Sequence, residues 1–289
     1  MPTYATTIDR GIIVVKNEIY ASTGAFIGRA NAYDYNLIKA NAENIHCDGF
    51  ELMLYSAWYK DFDRIIGEIA DFGLNFPVVH FDKEIGMLLA ENTKEDVEKA
   101  LRRFSLNVWA AKRVGAKKAV FHLWGGRNSD IFMKYSVKHI PSFYRECEDA
   151  GIELLIENIP ARYNGPVCDW LSVREEYHDA KFIYDTRFGE YHAEHKRIFT
   201  PAIWRDVRHI HISSYIRCAE HWGMLRPILH PGEGRVDFES LFADMPRYDY
   251  SVTLESPVLC ADGKIDTDKL NASLSYLYRK FSEKEAAEK

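Results

Sequence analysis

Seven ionisable residues lie in or at the ends of short apolar runs, where acidic and histidine side chains are unusual. The runs are rich in Val, Ile, Leu and Phe, which is typical of buried strands. An unpaired carboxylate costs several kcal/mol to remove from water, so each position needs a hydrogen-bonding partner or a bound cation. The seven residues, in chain order, are Glu51, His80, His122, Glu157, Asp185, His211 and Glu255.

The last four of these residues form a candidate metal-binding set. They follow one another at separations of 28, 26 and 44 residues. Three carboxylates and one imidazole form an oxygen-rich ligand set suited to Mn²⁺, Mg²⁺, Co²⁺ or Zn²⁺. Any one of them could instead cap a helix or bind loop amides, but four at successive strand ends favour a shared cation. The predicted metal ligands are Glu157, Asp185, His211 and Glu255.

The apolar runs alternate with longer amphipathic stretches, such as 61–72, 94–114 and 132–150, along almost the whole chain. Since parallel neighbouring strands require a crossover, eight such units predict an α/β fold, a closed (β/α)8 TIM barrel. We expect one domain over residues 1–289, with 281–289 at a frayed helix end. Active sites of such barrels lie at the carboxyl ends of the strands. The predicted strands are 19–23, 49–54, 77–81, 118–123, 152–157, 181–185, 209–213 and 251–255.

Composition excludes several classes of protein. The chain of 289 residues is 47% hydrophobic and 28% charged, as in an average water-soluble protein. A net charge of −6 argues against nucleic acid as the main partner. The five cysteines are scattered without a C-x-x-C pair, and no apolar stretch approaches the ~20 residues that span a bilayer. With no pattern of a secretory signal, we expect a cytoplasmic protein that does not bind membranes.

Five motifs resemble the xylose-isomerase-like barrel superfamily, and the resemblance covers nearly the whole chain. They are Ile156-Glu157-Asn158, Tyr184-Asp185-Thr186, His209-Ile210-His211-Ile212, His230-Pro231-Gly232-Glu233-Gly234 and Leu254-Glu255-Ser256. That superfamily includes sugar and sugar-phosphate isomerases and epimerases, inosose and dehydroshikimate dehydratases, and zinc-dependent abasic-site endonucleases. The resemblance implies that the four candidate ligands are the shared metal ligands, and that His80 and His122 match histidines closing the third and fourth strands.

Three positions depart from the pattern of this superfamily. Many relatives carry a histidine three residues after the sixth-strand aspartate, where this chain has Phe188. Relatives often have an acidic residue three positions after the seventh-strand histidine, where this chain has Ser214. The endonucleases carry an Asp-x-His pair before the Gly-Glu-Gly turn, which the stretch 226–230 does not supply. A full three-zinc centre is therefore not expected.

The resemblance implies a metal-dependent isomerase or epimerase of a small sugar, sugar phosphate or polyol-derived ketone. A divalent cation would acidify the C–H beside the carbonyl and stabilise an enediolate. Glu157 and Glu255 would be the catalytic residues, one removing the proton and one returning it. Expulsion of a β-hydroxyl from the same enediolate gives a dehydratase of the inosose or dehydroshikimate type, which is the alternative. An abasic-site endonuclease is the third hypothesis, and a non-catalytic barrel that binds a sugar or a metal as a sensor is the fourth. The sequence leaves open whether the chain forms a homo-oligomer.

Three of the strand-end residues are candidate substrate contacts. Glu51 would hydrogen-bond a sugar hydroxyl or brace a loop. His80 and His122 would hydrogen-bond the substrate or, as buried histidines, backbone carbonyl groups. The sequence does not distinguish these alternatives.

Arginine and tryptophan residues near the strand ends are further candidates for substrate binding. Arg187 and Arg217 would clamp a phosphate or carboxylate, or else pair with surface acids. Trp124 would stack on the apolar face of a sugar or pack at the rim of the barrel, and Trp58 and Trp222 have the same alternatives. The expected partner is therefore a small-molecule carbohydrate.

Overall fold

The computed structural model describes residues 17–126, 128–219, 223–246 and 249–286. Eight parallel strands form a closed barrel, in which the last strand pairs with the first. The predicted (β/α)8 barrel is confirmed, and the ends of the eight strands differ from the predicted ones by at most two residues. The barrel strands are β1 (Ile19–Ser22), β2 (Gly49–Met53), β3 (Val78–His80), β4 (Lys118–Phe121), β5 (Glu153–Glu157), β6 (Lys181–Asp185), β7 (Val207–Ile212) and β10 (Ser251–Leu254).

Helices connect the strands, and none in the described part of the chain has the length and apolarity needed to cross a bilayer. The predicted helix 132–150 is two helices, α5 and α6, because Pro141 lacks an N–H and is tolerated only in the first turn of a helix. The α-helices are α1 (Asn36–Ala42), α2 (Phe62–Ala70), α3 (Glu84–Glu91), α4 (Lys94–Arg113), α5 (Met133–Val137), α6 (Ile140–Asp149), α7 (Pro166–Glu176), α8 (Thr186–Tyr191), α9 (His195–Ile198), α10 (Pro201–Trp204), α11 (Phe238–Asp244) and α12 (Thr267–Ala286).

The two-residue period of the strands separates the apolar side chains into two layers. One buried cluster comprises Tyr20, Val78, Val120, Leu155 and Ile183. Their neighbours in the strands belong to a much larger cluster shared with the helices. Successive side chains of a strand point to opposite faces, so the residue two positions after each member of the smaller cluster faces the barrel axis as well. This rule directs the strand-end acids and histidines towards one point.

An antiparallel hairpin of β8 (Ser214–Cys218) and β9 (Leu225–Leu229) follows β7. The strand alternation of the sequence did not predict it. Arg217 and Arg226 are paired across the two strands, and Ile216 is 50% exposed. The hairpin is therefore an addition outside the barrel sheet.

Candidate metal and substrate site

The four predicted metal ligands meet at the carboxyl ends of their strands. Glu157 ends β5 and Asp185 ends β6, while His211 lies near the end of β7 and Glu255 directly follows β10. In the parallel register, Asp185 pairs with His211. Their ligand atoms all lie within 4.8 Å of one another. Because these side chains are buried or nearly so, the barrel concentrates three carboxylates in a small space of low polarity.

The His211 imidazole and the Arg187 guanidinium lie among these carboxylates. His211 Nδ1 is 3.1 Å from Glu157 Oε1 and 3.4 Å from Glu255 Oε1. Arg187 donates from Nη2 to Asp185 Oδ2 at 2.9 Å and to Glu255 Oε2 at 3.2 Å. Burial, opposed by Arg187 and reinforced by Glu157, raises the pKa of Asp185 to about 6. Burial lowers the pKa of His211, but the surrounding carboxylates bring it well above its ordinary value.

This donor set fits a divalent cation. Like charges in a buried site repel one another unless positive charge lies between them. The raised pKa values of Asp185 and His211 both report that the site favours an added positive charge. Oxygen-rich donors with one imidazole are the ligands of Mn²⁺, Mg²⁺, Co²⁺ and Zn²⁺.

The histidines predicted on the third and fourth strands contact Glu157. His122 Nε2 hydrogen-bonds Glu157 Oε2, and His80 Nε2 lies 3.5 Å from the same oxygen. These three side chains form a second group whose ligand atoms lie within 4.8 Å of one another. His80 is fully buried and donates from Nδ1 to the carbonyl of Phe81 at 2.9 Å. This is the hydrogen bond expected of a buried histidine that does not contact the substrate. His122 lines the cavity, and burial lowers its pKa to about 4.

Glu51 lies beneath the candidate metal ligands instead of facing the cavity. It is fully buried on β2, which continues to Met53, and it is not among the described residues that line the cavity, although one of its oxygens lies within 4.8 Å of ligand atoms of His80 and Glu255. Its Oε2 accepts hydrogen bonds at 3.0 Å from Nε2 of both His209 and His211. Its Oε1 has no hydrogen-bond partner among the described residues. The sequence predicted a sugar contact or a loop brace at Glu51, and in the structure this carboxylate accepts a hydrogen bond from the candidate ligand His211.

His209 is part of this arrangement and was not singled out from the sequence. Its Nδ1 lies 2.7 Å from Ser251 Oγ, and burial lowers its pKa to about 4. The signal was present in the sequence, because two histidines separated by one residue on a strand share a face.

A cavity of about 990 Å³ opens over the candidate metal ligands. Glu255, His122, Arg187 and Trp124 line it. Glu157 is 1% exposed and lies behind His122. Glu255 is thus the carboxylate of the candidate set with direct access to a bound molecule.

The predicted aromatic and cationic contacts divide into two groups. Trp124 lines the cavity but is buried, and its indole N–H lies 3.2 Å from the carbonyl oxygen of Ile159. Trp58 donates to the Tyr33 carbonyl outside the cavity lining, and Trp222 lies outside the described residues. Arg217 is exposed on β8 and is not among the described residues that line the cavity.

Phe188 lies three residues after Asp185, where the resemblance led us to expect a histidine. It lines the cavity, and the guanidinium carbon of Arg187 lies 4.8 Å from its ring centroid. A cation over an aromatic face is attracted by the ring quadrupole. The Phe188 ring therefore supports Arg187 at the edge of the cavity.

Comparison with known proteins supports this fold. Residues 40–279 match a family model described as the xylose isomerase-like TIM barrel. No curated protein sequence matches the chain. D-allulose 3-epimerase from Methylomonas sp. is 17% identical, with 92% of this chain and 97% of that chain covered and a TM-score of 0.69.

Two further solved structures share the fold. The probable 3-DHS dehydratase AsbF from Bacillus anthracis is 14% identical, with 90% of this chain and 98% of that chain covered and a TM-score of 0.62. The IOLI protein with a bound zinc atom is 12% identical, with 90% and 97% covered and a TM-score of 0.64. At identities this low, the similarity establishes the barrel alone.

Proposed function

Because the chain belongs to the xylose isomerase-like TIM barrel family, we propose that it is a divalent-metal-dependent isomerase or epimerase. Its substrate would be a small sugar, sugar phosphate or polyol-derived ketone. The observation that carries the proposal is the convergence of Glu157, Asp185, His211 and Glu255 within 4.8 Å, at the base of a cavity large enough for such a molecule.

We propose that these four residues hold the metal. When bound, a divalent cation supplies Lewis-acid polarisation of a carbonyl group, which makes the neighbouring C–H acidic. His211 would bind through Nδ1, the nitrogen that faces Glu157 and Glu255, while its Nε2–H continues to donate to Glu51. A hydrogen bond to the other ring nitrogen fixes the tautomer of a ligating histidine.

Glu255 and Glu157 are the proposed proton carriers. Glu255 lines the cavity from the strand β10 side, and its Oε2 accepts from Arg187. Glu157 lies across from it on β5 and contacts His122, which also lines the cavity. Glu157 does not itself line the cavity, so the proposal requires a bound substrate to reach it beside His122. With the two carboxylates on different sides of one carbon, a proton can leave one face and return to another, which is epimerisation. Return to the former carbonyl carbon gives isomerisation.

A dehydratase is the alternative that shares the first step. Removal of the same proton by the same carboxylates, followed by loss of a β-hydroxyl group, releases water. The products distinguish the two reactions directly, since dehydration gives an unsaturated ketone and epimerisation gives a sugar of equal mass.

A second alternative is an abasic-site endonuclease, which the second donor group of His80, His122 and Glu157 favours. The absent Asp-x-His pair and the net charge of −6 argue against it. A nicking assay on abasic duplex DNA with added zinc or manganese tests this activity.

Solvent exchange tests the proposed function. The protein, Mn²⁺ and candidate ketoses are incubated in D₂O, and deuterium is sought on the carbon beside the carbonyl. We expect Glu157→Gln and Glu255→Gln to abolish exchange without altering the circular dichroism spectrum, whereas the exposed Glu175→Gln retains it. Activity of either site variant within about tenfold of wild type, a barrier change of ~1.4 kcal/mol, would contradict the assignment.

A further inference from the structure

The lining of the cavity carries four cationic and three acidic side chains, in a protein whose net charge is −6. Its lining includes the four cationic residues Lys83, Arg162, Arg187 and Arg226. An acidic chain has no general excess of cations to place there. Anion binding therefore depends on which of these cationic side chains lack a carboxylate partner.

The acidic residues of the lining are already paired. Arg103, which is not among the lining residues, donates from Nη1 to Asp82 at 2.8 Å and to Glu84 at 2.6 Å. Arg187 pairs with Glu255 and with the buried Asp185. Within the described part of the chain, three lining cations have no carboxylate oxygen within 4.0 Å. They are Lys83, Arg162 and Arg226.

Arg226 is the most informative of the three. It lies on β9 opposite Arg217, and of this cross-strand pair only Arg226 lines the cavity. Its side chain is exposed at the cavity wall, where partial desolvation and the neighbouring Arg187 lower its pKa. Arg187 is already paired with two carboxylates, whereas Arg226 faces the cavity without a carboxylate partner among the described residues, so its guanidinium is available to an anion.

We infer that the substrate carries an anionic group, a phosphate monoester or a carboxylate, which binds Arg226 at the cavity wall. This inference rests on the proposed function and narrows its substrates from neutral ketoses to anionic ones. A guanidinium binds either anion through two parallel hydrogen bonds. Lys83 and Arg162 are two further lining cations without a carboxylate partner among the described residues, and they attract anionic molecules as well.

The test compares three ketones of equal chain length: a free ketose, its terminal phosphate and the corresponding terminal carboxylate. Deuterium exchange with Mn²⁺ gives kcat and KM for each with wild type, Arg226→Gln, Arg226→Lys and Arg217→Gln. We expect one anionic substrate to have the lowest KM. Arg226→Gln should raise that KM about tenfold or more, ~1.4 kcal/mol, without changing the KM of the free ketose. Arg226→Lys should restore part of the loss, and the two anionic arms identify which group is recognised.

Three outcomes would overturn the inference. The first is a lower KM for the free ketose than for both anionic substrates. The second is an equal effect of Arg226→Gln on all three substrates, which would indicate a structural role. The third is a selective loss in Arg217→Gln and none in Arg226→Gln, which would favour the assignment made from sequence. Exchange with the free ketose alone overturns only this inference, whereas absence of exchange with every substrate removes the proposed function and this inference with it.

Discussion

At the scale of single residues, Glu51 shows how a buried charge can serve a site that it does not line. Its carboxylate accepts from His209 and His211, and its own burial would be costly without them. Burial alone raises the pKa of Glu51, but these two histidines bring it well below its ordinary value. Glu51 thereby keeps a proton on His211 Nε2, whereas Nδ1 of the same ring faces Glu157 and Glu255.

Replacing Glu51 by Gln should weaken metal binding. A carboxamide of the same size cannot match the charge of the carboxylate, and loss of such partners of a ligating histidine typically costs about 10- to 100-fold in affinity. Calorimetric titration of Mn²⁺ into metal-free protein measures the effect. Glu175→Gln, an exposed change of the same chemistry, is the control. Equal affinities in the two variants would show that Glu51 does not position His211.

The sequence predicted the four candidate ligands but not the place of Glu51. Glu157 and Asp185 end their strands, so an apolar run followed by a carboxylate was enough to place them. Glu51 is followed by Leu52 and Met53 within the same strand, and its depth depends on where that strand stops. A shift of two residues along a strand keeps the face and changes the depth by about 7 Å, which decides between cavity and interior.

At the scale of elements, a buried pair of acids anchors the segment that follows β5 and lines the cavity. Asp130 accepts the backbone N–H groups of Arg162 and Asn164 at 2.7 Å each. Asp169 on α7 lies nearby, fully buried, and its Oδ1 accepts from the side chain of Asn164 at 3.2 Å. Burial, reinforced by Asp130, raises the pKa of Asp169 to about 8.

This acid makes the stability of the barrel depend on pH. The ordinary pKa of 3.8 applies to the unfolded chain, so between pH 4 and pH 8 the folded state alone keeps the proton of Asp169. The free energy of unfolding therefore falls as pH rises through that window, by at most ~1.4 kcal/mol per pH unit, because the unfolded chain releases the proton of Asp169 and the folded chain does not. We expect Asp169→Asn to remove this dependence. The free energy of unfolding of the variant should therefore rise relative to that of wild type between pH 5 and pH 8.

Urea unfolding of both proteins across that range measures the gain, with the exposed Asp179→Asn as control. Profiles of wild type and Asp169→Asn that run parallel from pH 5 to pH 8 would mean that Asp169 ionises normally in the folded protein.

The barrel strands were predictable because they are buried on both faces and read as apolar runs. The hairpin was not, since β8 and β9 lie outside the barrel sheet and carry arginines and an exposed Ile216 where a core strand would be apolar. Pro227 within β9 also argues against a central strand, and prolines are tolerated where a strand lies at an edge. The same hairpin carries Arg217, which the sequence analysis named, and Arg226, which lines the cavity and was not named.

At the scale of the whole molecule, the candidate ligands span most of the second half of the chain. Glu157 and Glu255 are brought together only when strands β5 to β7 and β10 are closed into the barrel. The unfolded chain therefore has no preformed site, and a metal that binds these residues stabilises the folded state selectively. The repeating strand–helix units of the sequence predicted that the barrel closes. The depth and charge of the cavity depend on side chains from several units packed together, so no single unit predicts them.

Metal binding should accordingly raise the unfolding temperature. A ligand present at 100 times its dissociation constant stabilises a protein by about 2.7 kcal/mol, which for a chain of this size is a shift of roughly 5 °C. Differential scanning calorimetry with excess Mn²⁺ or with EDTA measures this shift. Asp185→Asn keeps the size of the side chain but removes one ligand charge, so its shift should be much smaller. An unfolding temperature that is the same with Mn²⁺ and with EDTA, or an undiminished shift in Asp185→Asn, would mean that these four residues do not bind the metal together.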